Sequence, residues 1–456
     1  MPSTTTDSIV KLGRTAVLLV PLLLMGAHPG VVNAATTLVD LFDVSLEADP
    51  EYQSAVAANL ASQELSPQAR SFLLPTLSAG GSVRHNYADV RRSATGPTGT
   101  TDWPDYQADI TLTQPVYHHD LWVALEQADL RTKQANAEFA FARQELILRV
   151  SERYFDVLKG RDQLAFAQAA LEAFGQQLKQ AQQRFEVGLI AITDVEEAQA
   201  GFDLATADVI AAENDLDNGR EALREVTGLY TTDLASLGQA MPLVSPDPAD
   251  IKQWTETALR QNLEIMAARH AAATAKEEIS RMQAGHYPTL DLVGRTQYFD
   301  SHGGIGGIAT GSQVVDGQIG IELDVPIYQG GLVVSQTREV RHLYQQSLDT
   351  LERRRRAVQR QARAAYLNLN SDISRVKALT QAVKSTVSAK EAIDAGFQVG
   401  TRTSVDVLNA ERRLFEARRD LAFSRYDYIV NRLTLKQAAG TLSDTDVEQV
   451  NSWLAP

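Results

Sequence analysis

The sequence contains no cysteine among its 456 residues. Without cysteine the chain forms no disulfide and offers no thiol for lipid attachment, so its stability must come from packing or assembly. Positive charge is also scarce, with 43 Lys and Arg against 57 Asp and Glu and a formal net charge of -14. Such an acidic chain is a poor ligand for nucleic acid, and we expect no nucleic-acid partner.

Long hydrophobic runs are missing as well, apart from one near the N-terminus. Lys11 and Arg14 precede an apolar run at 15–26, and Val32-Asn33-Ala34 has the small-x-small pattern of a cleavage site. The run is about 12 residues long, whereas a spanning helix needs about 20. We therefore predict a signal peptide at 1–34. The exported remainder would meet a membrane only through strands or a surface helix.

Glycine and proline are missing from two long stretches, which predicts very long helices. The stretch 332–395 contains neither residue, and 117–185 is interrupted only by Gly160 and Gly175. At 1.5 Å per residue, about 64 helical residues would span roughly 96 Å. Globular domains rarely contain such helices, whereas coiled coils and helical walls do.

One segment of the chain is present twice. FQVGTRTSVDVLNAERR at 397–413 matches FEVGLIAITDVEEAQA at 185–200, with an offset of about 212 residues. Nearly the same offset relates FLLPTLSAGG to GHYPTLDLVG, LTQPVYHHD to LDVPIYQGG and ALREVTG to TLKQAAG. A constant offset over so many segments predicts two copies of one structural unit.

Each unit is predicted to contain two strands, a long helix, a tip and a shorter helix. The first unit, 35–228, has strands at about 76–88 and 105–115, a long helix at about 117–185, a tip at 186–192 and a helix at 193–227. The second unit, 252–440, has strands at about 288–300 and 314–326, a long helix at about 332–395, a tip at 397–402 and a helix at 403–439. The segments 229–251 and 441–456 are a linker and a C-terminal tail.

The strands are predicted from alternating apolar and polar residues, the pattern of a half-buried strand. Four such strands are too few to close a membrane barrel, which needs about eight or more and leaves no open edge. The chain must therefore oligomerise, or its strands do not span a membrane. These arguments predict an oligomeric barrel with a helical shaft and leave the number of copies open.

The two tip motifs, together with PTLDL at 288–292 and LDVPIYQGG at 323–331, resemble the TolC family of outer-membrane exit ducts. The resemblance covers nearly the whole mature chain. It implies a mixed α and β membrane protein: a homotrimer with a twelve-stranded outer-membrane β-barrel, four strands per chain. A twelve-helix periplasmic α-barrel of coiled coils would continue it, with a small equatorial domain formed by 229–251 and 441–456.

The function implied by this resemblance is a passive exit duct for tripartite efflux or type I secretion. The implied partners are a periplasmic adaptor (membrane fusion) protein, an inner-membrane transporter of the RND, ABC or MFS type, and outer-membrane lipid. The helical part would lie in the periplasm. The resemblance also assigns the adaptor contact to the tips, at Val187, Gly188, Leu189, Val399, Gly400 and Thr401. The two glycines permit the positive φ of a tight helix–helix turn.

The resemblance further implies a gate beside the tips. In the family, two aspartates form rings at the periplasmic entrance. Asp406 matches one of them, whereas Asn409 departs from the pattern, so we expect weaker block by multivalent cations. The links that close the entrance fall on Thr193, Asp194 and Arg402, with Phe397 in the place of a tyrosine. Because Phe397 has no hydroxyl for Asp194, we expect a less firmly locked resting state.

Two other classes of protein, a structural rod and an enzyme, would explain only part of the sequence. A secreted coiled-coil rod or surface anchor would explain the helices but not the amphipathic strands. An enzyme would need a site, and His118-His119-Asp120 is the only metal-like cluster. Adjacent histidines on a helix point apart, and no third ligand is evident. The loop Gly304-x-Gly306-x-x-Ala309 precedes a strand rather than a helix, which argues against dinucleotide binding. We expect no catalytic residue, no cofactor and no metal.

Overall fold

The computed structural model describes residues 35–94, 98–238, 241–305, 308–309 and 311–455. The predicted signal peptide lies outside these residues. In chain order the elements are α1 (Leu38–Ala48), α2 (Pro50–Gln63), α3 (Leu65–Ser71), β1 (Thr76–Val90), β2 (Gly99–Tyr117), α4 (His119–Glu186), α5 (Ile192–Thr227), β3 (Ser236–Leu237), α6 (Ile251–Gln261), α7 (Leu263–Gln283), β4 (Thr289–Ser301), β5 (Gly304–Ile305), β6 (Ile308–Ala309), β7 (Ser312–Asp324), α8 (Leu332–Gln398), α9 (Ser404–Ala439), α10 (Asp444–Asn451) and β8 (Leu454–Ala455).

The four long strands form one antiparallel sheet in the order β1-β2-β4-β7. The pairing of β2 with β4 joins the hairpin of the first unit to that of the second. Within the described residues, β1 and β7 each pair on one side only, so the sheet has two open edges. An open edge leaves a row of backbone donors and acceptors without strand partners.

Several strand bounds differ from the prediction by one to six residues, and two of these differences have an evident cause. β2 begins at Gly99, six residues earlier than expected, because its start pairs with the end of β1, from Gly99 opposite Val90 to Pro104 opposite His85. This polar stretch shows no apolar alternation, so the sequence pattern did not reveal it. β7 ends at Asp324, before Pro326, because proline has no backbone N–H for the strand ladder.

The predicted half-burial holds for β4, most of whose residues are partly buried, but in the single chain it does not hold for β7. Every residue of β7 is exposed. Ile319 is 77% exposed and Ile321 is 72% exposed, although both are apolar. No other element of the described chain covers this apolar face, and exposed apolar surfaces of this kind mark sites of contact with a partner or a membrane.

α4 and α8 contain 68 and 67 residues. α4 runs without a break through Gly160 and Gly175, which the sequence analysis treated as interruptions. The structure gives a different role to these glycines. A Cβ on Gly160 would lie 3.1 Å from Cα of Leu216 in α5, and one on Gly175 would lie 3.4 Å from the ring of Phe202. The glycines therefore let α4 and α5 pack closely along their length.

The segments flanking the second unit meet at mid-height of the helices. β3 pairs with β8, so the linker at 229–251 and the C-terminal tail lie side by side. The largest core cluster lies beside them and includes Tyr154 and Phe155 of α4 and Tyr428 of α9. The hydroxyl of Tyr154 donates to the carbonyl of Ala235 at 2.7 Å. Burial raises the pKa of that hydroxyl, which remains a protonated donor at neutral pH.

The end of α9 is fastened to the junction of α6 and α7. Asn262 donates from its side-chain amide to the carbonyl of Ala438 at 3.1 Å. Gly440 ends α9 with φ of +74°. A Cβ at this glycine would lie 2.4 Å from the carbonyl oxygen of Gln261. The turn therefore depends on glycine both for its backbone angle and for space.

We expect Gly440→Ala to lower the melting temperature much more than Gly400→Ala. Gly400 has a similar φ of +79° but nothing within 4 Å of its Cβ position. Both substitutions incur the left-handed backbone cost of about 1–2 kcal/mol, and only Gly440→Ala adds a backbone clash. Thermal unfolding in detergent measures the two shifts. Equal shifts would contradict this account of the α9 turn.

Candidate functional site at the two helix tips

The two tips share one hydrogen-bond pattern. Gly188 and Gly400 have φ of +73° and +79°, so the predicted positive φ is confirmed at both positions. The N–H of Leu189 donates to the carbonyl of Arg184, and the N–H of Thr401 donates to that of Gly396, each at 2.8 Å. Each glycine N–H donates three residues back. These paired bonds form the Schellman motif that ends a helix at a left-handed glycine.

The second tip is shifted from its predicted bounds. α8 continues to Gln398 and α9 begins at Ser404, so the turn spans 399–403 rather than 397–402. The first turn spans 187–191, inside the predicted 186–192. The shift has a local cause, because Thr403 serves as the N-cap of α9 and therefore belongs to the turn.

Asp194 and Asp406 occupy the same position in the two units, three residues after an N-cap. A carboxylate oxygen of Asp406 accepts from both the N–H and the hydroxyl of Thr403 at 3.0 Å, and the Asp406 N–H donates back to that hydroxyl at 3.2 Å. This reciprocal arrangement is a capping box. Asp194 accepts from the N–H of Ala191 at 3.2 Å. The repeated Asp-Val of the sequence is therefore, first, a helix-start signal.

The capping box also sets the charge state of Asp406. The backbone N–H of Thr403, followed by its hydroxyl and by the nearby positive charge of Arg402, lowers the pKa of the Asp406 carboxyl below its ordinary value. The carboxylate therefore keeps its negative charge to a lower pH than an ordinary aspartate does.

Two contacts join the first tip to the second within one chain. The Ser404 hydroxyl donates to Asp194 at 3.4 Å. The guanidinium of Arg184 lies over the ring of Phe397, 4.3 Å from its centroid, in cation–π geometry. Sequence reasoning missed both Ser404 and Arg184. The available signal was a break in the repeat: at the offset of about 212, Arg184 corresponds to Gly396, and Ser404 to Ile192.

Arg402 does not make the predicted links within the chain. In the part of the chain that the structure describes, no hydrogen bond or ion pair joins its side chain to Thr193 or Asp194. Arg402 does line the same groove as Arg184, Asp194 and Phe397. The structure thus brings together most of the predicted gate residues, and leaves the Arg402 guanidinium available to a partner outside the chain.

The predicted adaptor-contact residues form an uncovered apolar surface. Val187 is 69%, Leu189 is 72% and Val399 is 75% exposed. Gly188, Gly400 and Thr401 are exposed beside them. Asn409, one of the two predicted entrance residues, is also exposed, and Asp406 is partly exposed. Three positions separate these two side chains, so they share a face of α9.

The histidines at the start of α4 have separate partners. The His118 ring nitrogen lies 3.0 Å from Asp291 of β4. The His119 ring packs against Tyr287, with centroids 5.2 Å apart. No group of three or more potential metal-ligating side chains occurs among the described residues. None of the helices among these described residues has the length and apolarity needed to cross a membrane.

Comparison with known proteins identifies the family. The model of the family described as outer membrane efflux protein matches residues 41–229 and 254–441. The chain belongs to this family. It is 40% identical over 440 residues to outer membrane protein TolC of Vibrio cholerae serotype O1, covering 96% of this chain and 98% of that protein. The resemblance predicted from the tip motifs is therefore confirmed.

Two further comparisons bear on function and fold. The chain is 29% identical over 426 residues to the alkaline protease secretion protein AprF of Pseudomonas aeruginosa, covering 91% of this chain and 87% of that protein. The fold is that of the Campylobacter jejuni CmeC outer membrane channel, with a TM-score of 0.78 and 15% identity, covering 92% of this chain and 90% of that one.

The predicted location in the outer membrane and the predicted role as an efflux and secretion duct are confirmed. The family is one of channels rather than enzymes, and the secreted rod is not supported.

The repeat provides a matched test of the capping analysis. Thr403 caps α9 with its side chain, whereas the equivalent residue before α5 is Ala191. Thr403→Ala should cost about 1 kcal/mol, so the amide of Asp406 should exchange its hydrogen roughly fivefold faster. Ala191→Thr should add a side-chain cap to α5 and so slow the hydrogen exchange of the Asp194 amide. Hydrogen exchange with residue-level detection measures both, and unchanged rates in either variant would contradict the proposed caps.

Proposed function

We propose that three copies of this chain assemble into a passive duct that crosses the outer membrane and extends into the periplasm. The observation that carries this proposal is the four-stranded sheet with two open edges and an uncovered apolar face. Joining three such sheets edge to edge would give a closed barrel of twelve strands and remove every open edge. The long helix pairs would continue the wall as a helical tube. No chemical step, catalytic residue or cofactor is needed.

The entrance of this duct lies at the tips, where neighbouring helix pairs are held together. Within each chain, Arg184–Phe397 and Ser404–Asp194 join α4 and α5 to α8 and α9. Between chains, Arg402 reaches Thr193 and Asp194 of the next copy and forms charge-assisted hydrogen bonds. Opening is an iris-like outward shift of α8 and α9 that breaks these contacts.

Ser404 partly replaces the hydroxyl that Phe397 lacks. Its hydrogen bond to Asp194, at 3.4 Å, is long for an O–H donor and therefore weak. Because this hydrogen bond is weak, we still predict a less firmly locked resting state. Phe397→Tyr tests it directly, because a hydroxyl added at that position should lower the resting conductance.

The exposed apolar surface of the tips is the docking site of a periplasmic adaptor protein, which presents a helical hairpin. An inner-membrane transporter, of the RND, ABC or MFS type, supplies the energy for export. The likeness to a channel named for alkaline protease secretion supports a role in type I secretion, and the likeness to TolC supports the same duct architecture. Cargo selection by chemical type then falls mainly to the transporter.

Single-channel recording in a planar bilayer tests the duct and its gate together. The wild-type protein should show a small, stable conductance, and Arg402→Ala should raise it by freeing the link between copies. Absence of any conductance from either protein would refute the duct. A large wild-type conductance that Arg402→Ala leaves unchanged would keep the duct and refute this gate.

The Arg184–Phe397 contact should contribute measurably to closure. A cation–π pair at a partly exposed site contributes about 0.5–1 kcal/mol. Arg184→Gln should therefore raise the ratio of open to closed states about two- to fivefold for each of the three contacts that opening breaks. Lys179→Gln is the control, because Lys179 is an exposed cation of the same helix. Equal responses of the two variants in single-channel records would show that the ring contact plays no part.

The composition of the entrance ring predicts the response to multivalent cations. Asn409→Asp should strengthen block by hexamminecobalt(III), since it adds a carboxylate beside Asp406 in each copy. In the wild type, block should persist at mildly acidic pH because the pKa of Asp406 lies below its ordinary value. In the variant, crowded carboxylates raise one another's pKa. As the pH is lowered, the added block should therefore disappear at a higher pH than the block of the wild type. Identical pH profiles would contradict this assignment.

A further inference from the structure

A third polar position continues the face of α9 that carries Asp406 and Asn409. Arg413 lies four residues beyond Asn409 and seven beyond Asp406, and these spacings place all three side chains on one side of the helix. Asn409 and Arg413 are both exposed. At 1.5 Å per residue, Arg413 lies about 10 Å further from the tip than Asp406.

The charge of Arg413 is not matched within the chain. In the described structure its side chain forms no hydrogen bond and no ion pair. Its neighbours differ in this respect. Arg412 lies over the ring of Phe174 at 5.9 Å, and Arg419 donates to Asp420 at 2.8 Å. The equivalent position in α5 of the first unit is Gly201, which packs near Phe174. The shared fold of the two units therefore does not require an arginine at position 413.

Nearby carboxylates face other cations. Glu411 lies 3.4 Å from Lys390 of α8. Glu416, three residues after Arg413, lines a groove between α5 and α9 together with Arg412 and Arg419. Asp208 of α5 lines the same groove, and Asp420 is paired with Arg419. Arg413 thus brings a positive charge to the face of α9 that carries Asp406 and Asn409.

We propose that Arg413 forms a positively charged ring just inside the entrance, which admits and briefly binds anionic cargo groups such as phosphates and carboxylates. This inference rests on the proposed function, in which the Asp406 face of α9 lines the entrance of a trimer. Rings of arginine in narrow aqueous passages attract anions. The planar guanidinium also binds a phosphate or a carboxylate through two parallel hydrogen bonds. Asn409 fits this arrangement, because a second carboxylate there would neutralise the ring.

The test measures ion selectivity and block in planar bilayers. Reversal potentials in a KCl gradient give the ratio of chloride to potassium permeability. Inorganic pyrophosphate is then added on the side of the helical tips. Arg413→Gln should lower the permeability ratio at least about twofold and weaken pyrophosphate block about tenfold, the effect of losing one charge-assisted contact to the bound anion. Arg413→Lys should keep the permeability ratio and lose part of the block.

Arg418→Gln is the matched control. Arg418 is exposed on the same helix, and five positions separate it from Arg413, about 140° around the axis. It should leave both measurements unchanged. Because the Arg413 side chain makes no hydrogen bond or ion pair in the described chain, its variants should form trimers of wild-type gel mobility.

The outcomes separate the ring from the duct. A wild-type channel whose selectivity and pyrophosphate block do not change in Arg413→Gln, or change equally in Arg418→Gln, would overturn the ring and keep the duct. A wild-type protein without conductance would overturn the duct and the ring with it.

Discussion

The open, uncovered sheet is the constraint on which the rest of this structure depends. Its four strands satisfy each other's backbone groups internally but leave β1 and β7 unpaired on their outer sides. Inside a bilayer no water is present to satisfy such groups, and each one costs several kcal/mol. In the proposed duct, assembly with other copies would remove the edges. Close packing of α4 against α5 through Gly160 and Gly175 would then allow thin, very long helix pairs to extend the wall.

Internal duplication explains why the two tips are similar, and departures from the repeat explain what distinguishes them. Both tips need a left-handed glycine and an aspartate three residues into the next helix, so these residues recur. The positions that differ are Arg184 against Gly396, Ala191 against Thr403, Ile192 against Ser404 and Gly201 against Arg413. Each of these differences creates a contact or a charge that the other tip lacks. In both contacts between the tips, one partner stands at a position that differs between the two copies of the repeat.

Much of the fold follows from patterns that are local in sequence. Missing glycine and proline predicted the long helices, alternation predicted parts of all four long strands, and a fixed offset predicted the duplication. The predictions failed where a structural feature depends on residues far away in the sequence. The early start of β2 depends on pairing with β1, and the need for glycine at position 160 of α4 depends on the close approach of Leu216 of α5. Local patterns carry no information about either partner.

The candidate site shows the same division. Glycine at the tips could be predicted because a positive φ is a local requirement. The pairing of Arg184 with Phe397, and of Ser404 with Asp194, could not be predicted, because each joins residues about 210 positions apart. Resemblance to a family supplied the roles of Asp406 and Arg402, but it said nothing about contacts that arise from residues peculiar to this chain.

Substitutions that change the charge of Asp406 and of its neighbours on α9 have different consequences for the start of the helix. The carboxylate of Asp406 accepts two hydrogen bonds from Thr403 and so begins α9, which means that replacing it changes the turn as well as the charge of the entrance. Asn409 and Arg413 lie further along the same exposed face and take no part in capping. Their charge can therefore change without affecting the helix start. The tip thus holds one carboxylate fixed by the geometry of the turn, and the positions beyond it are where the electrostatic character of the entrance is set.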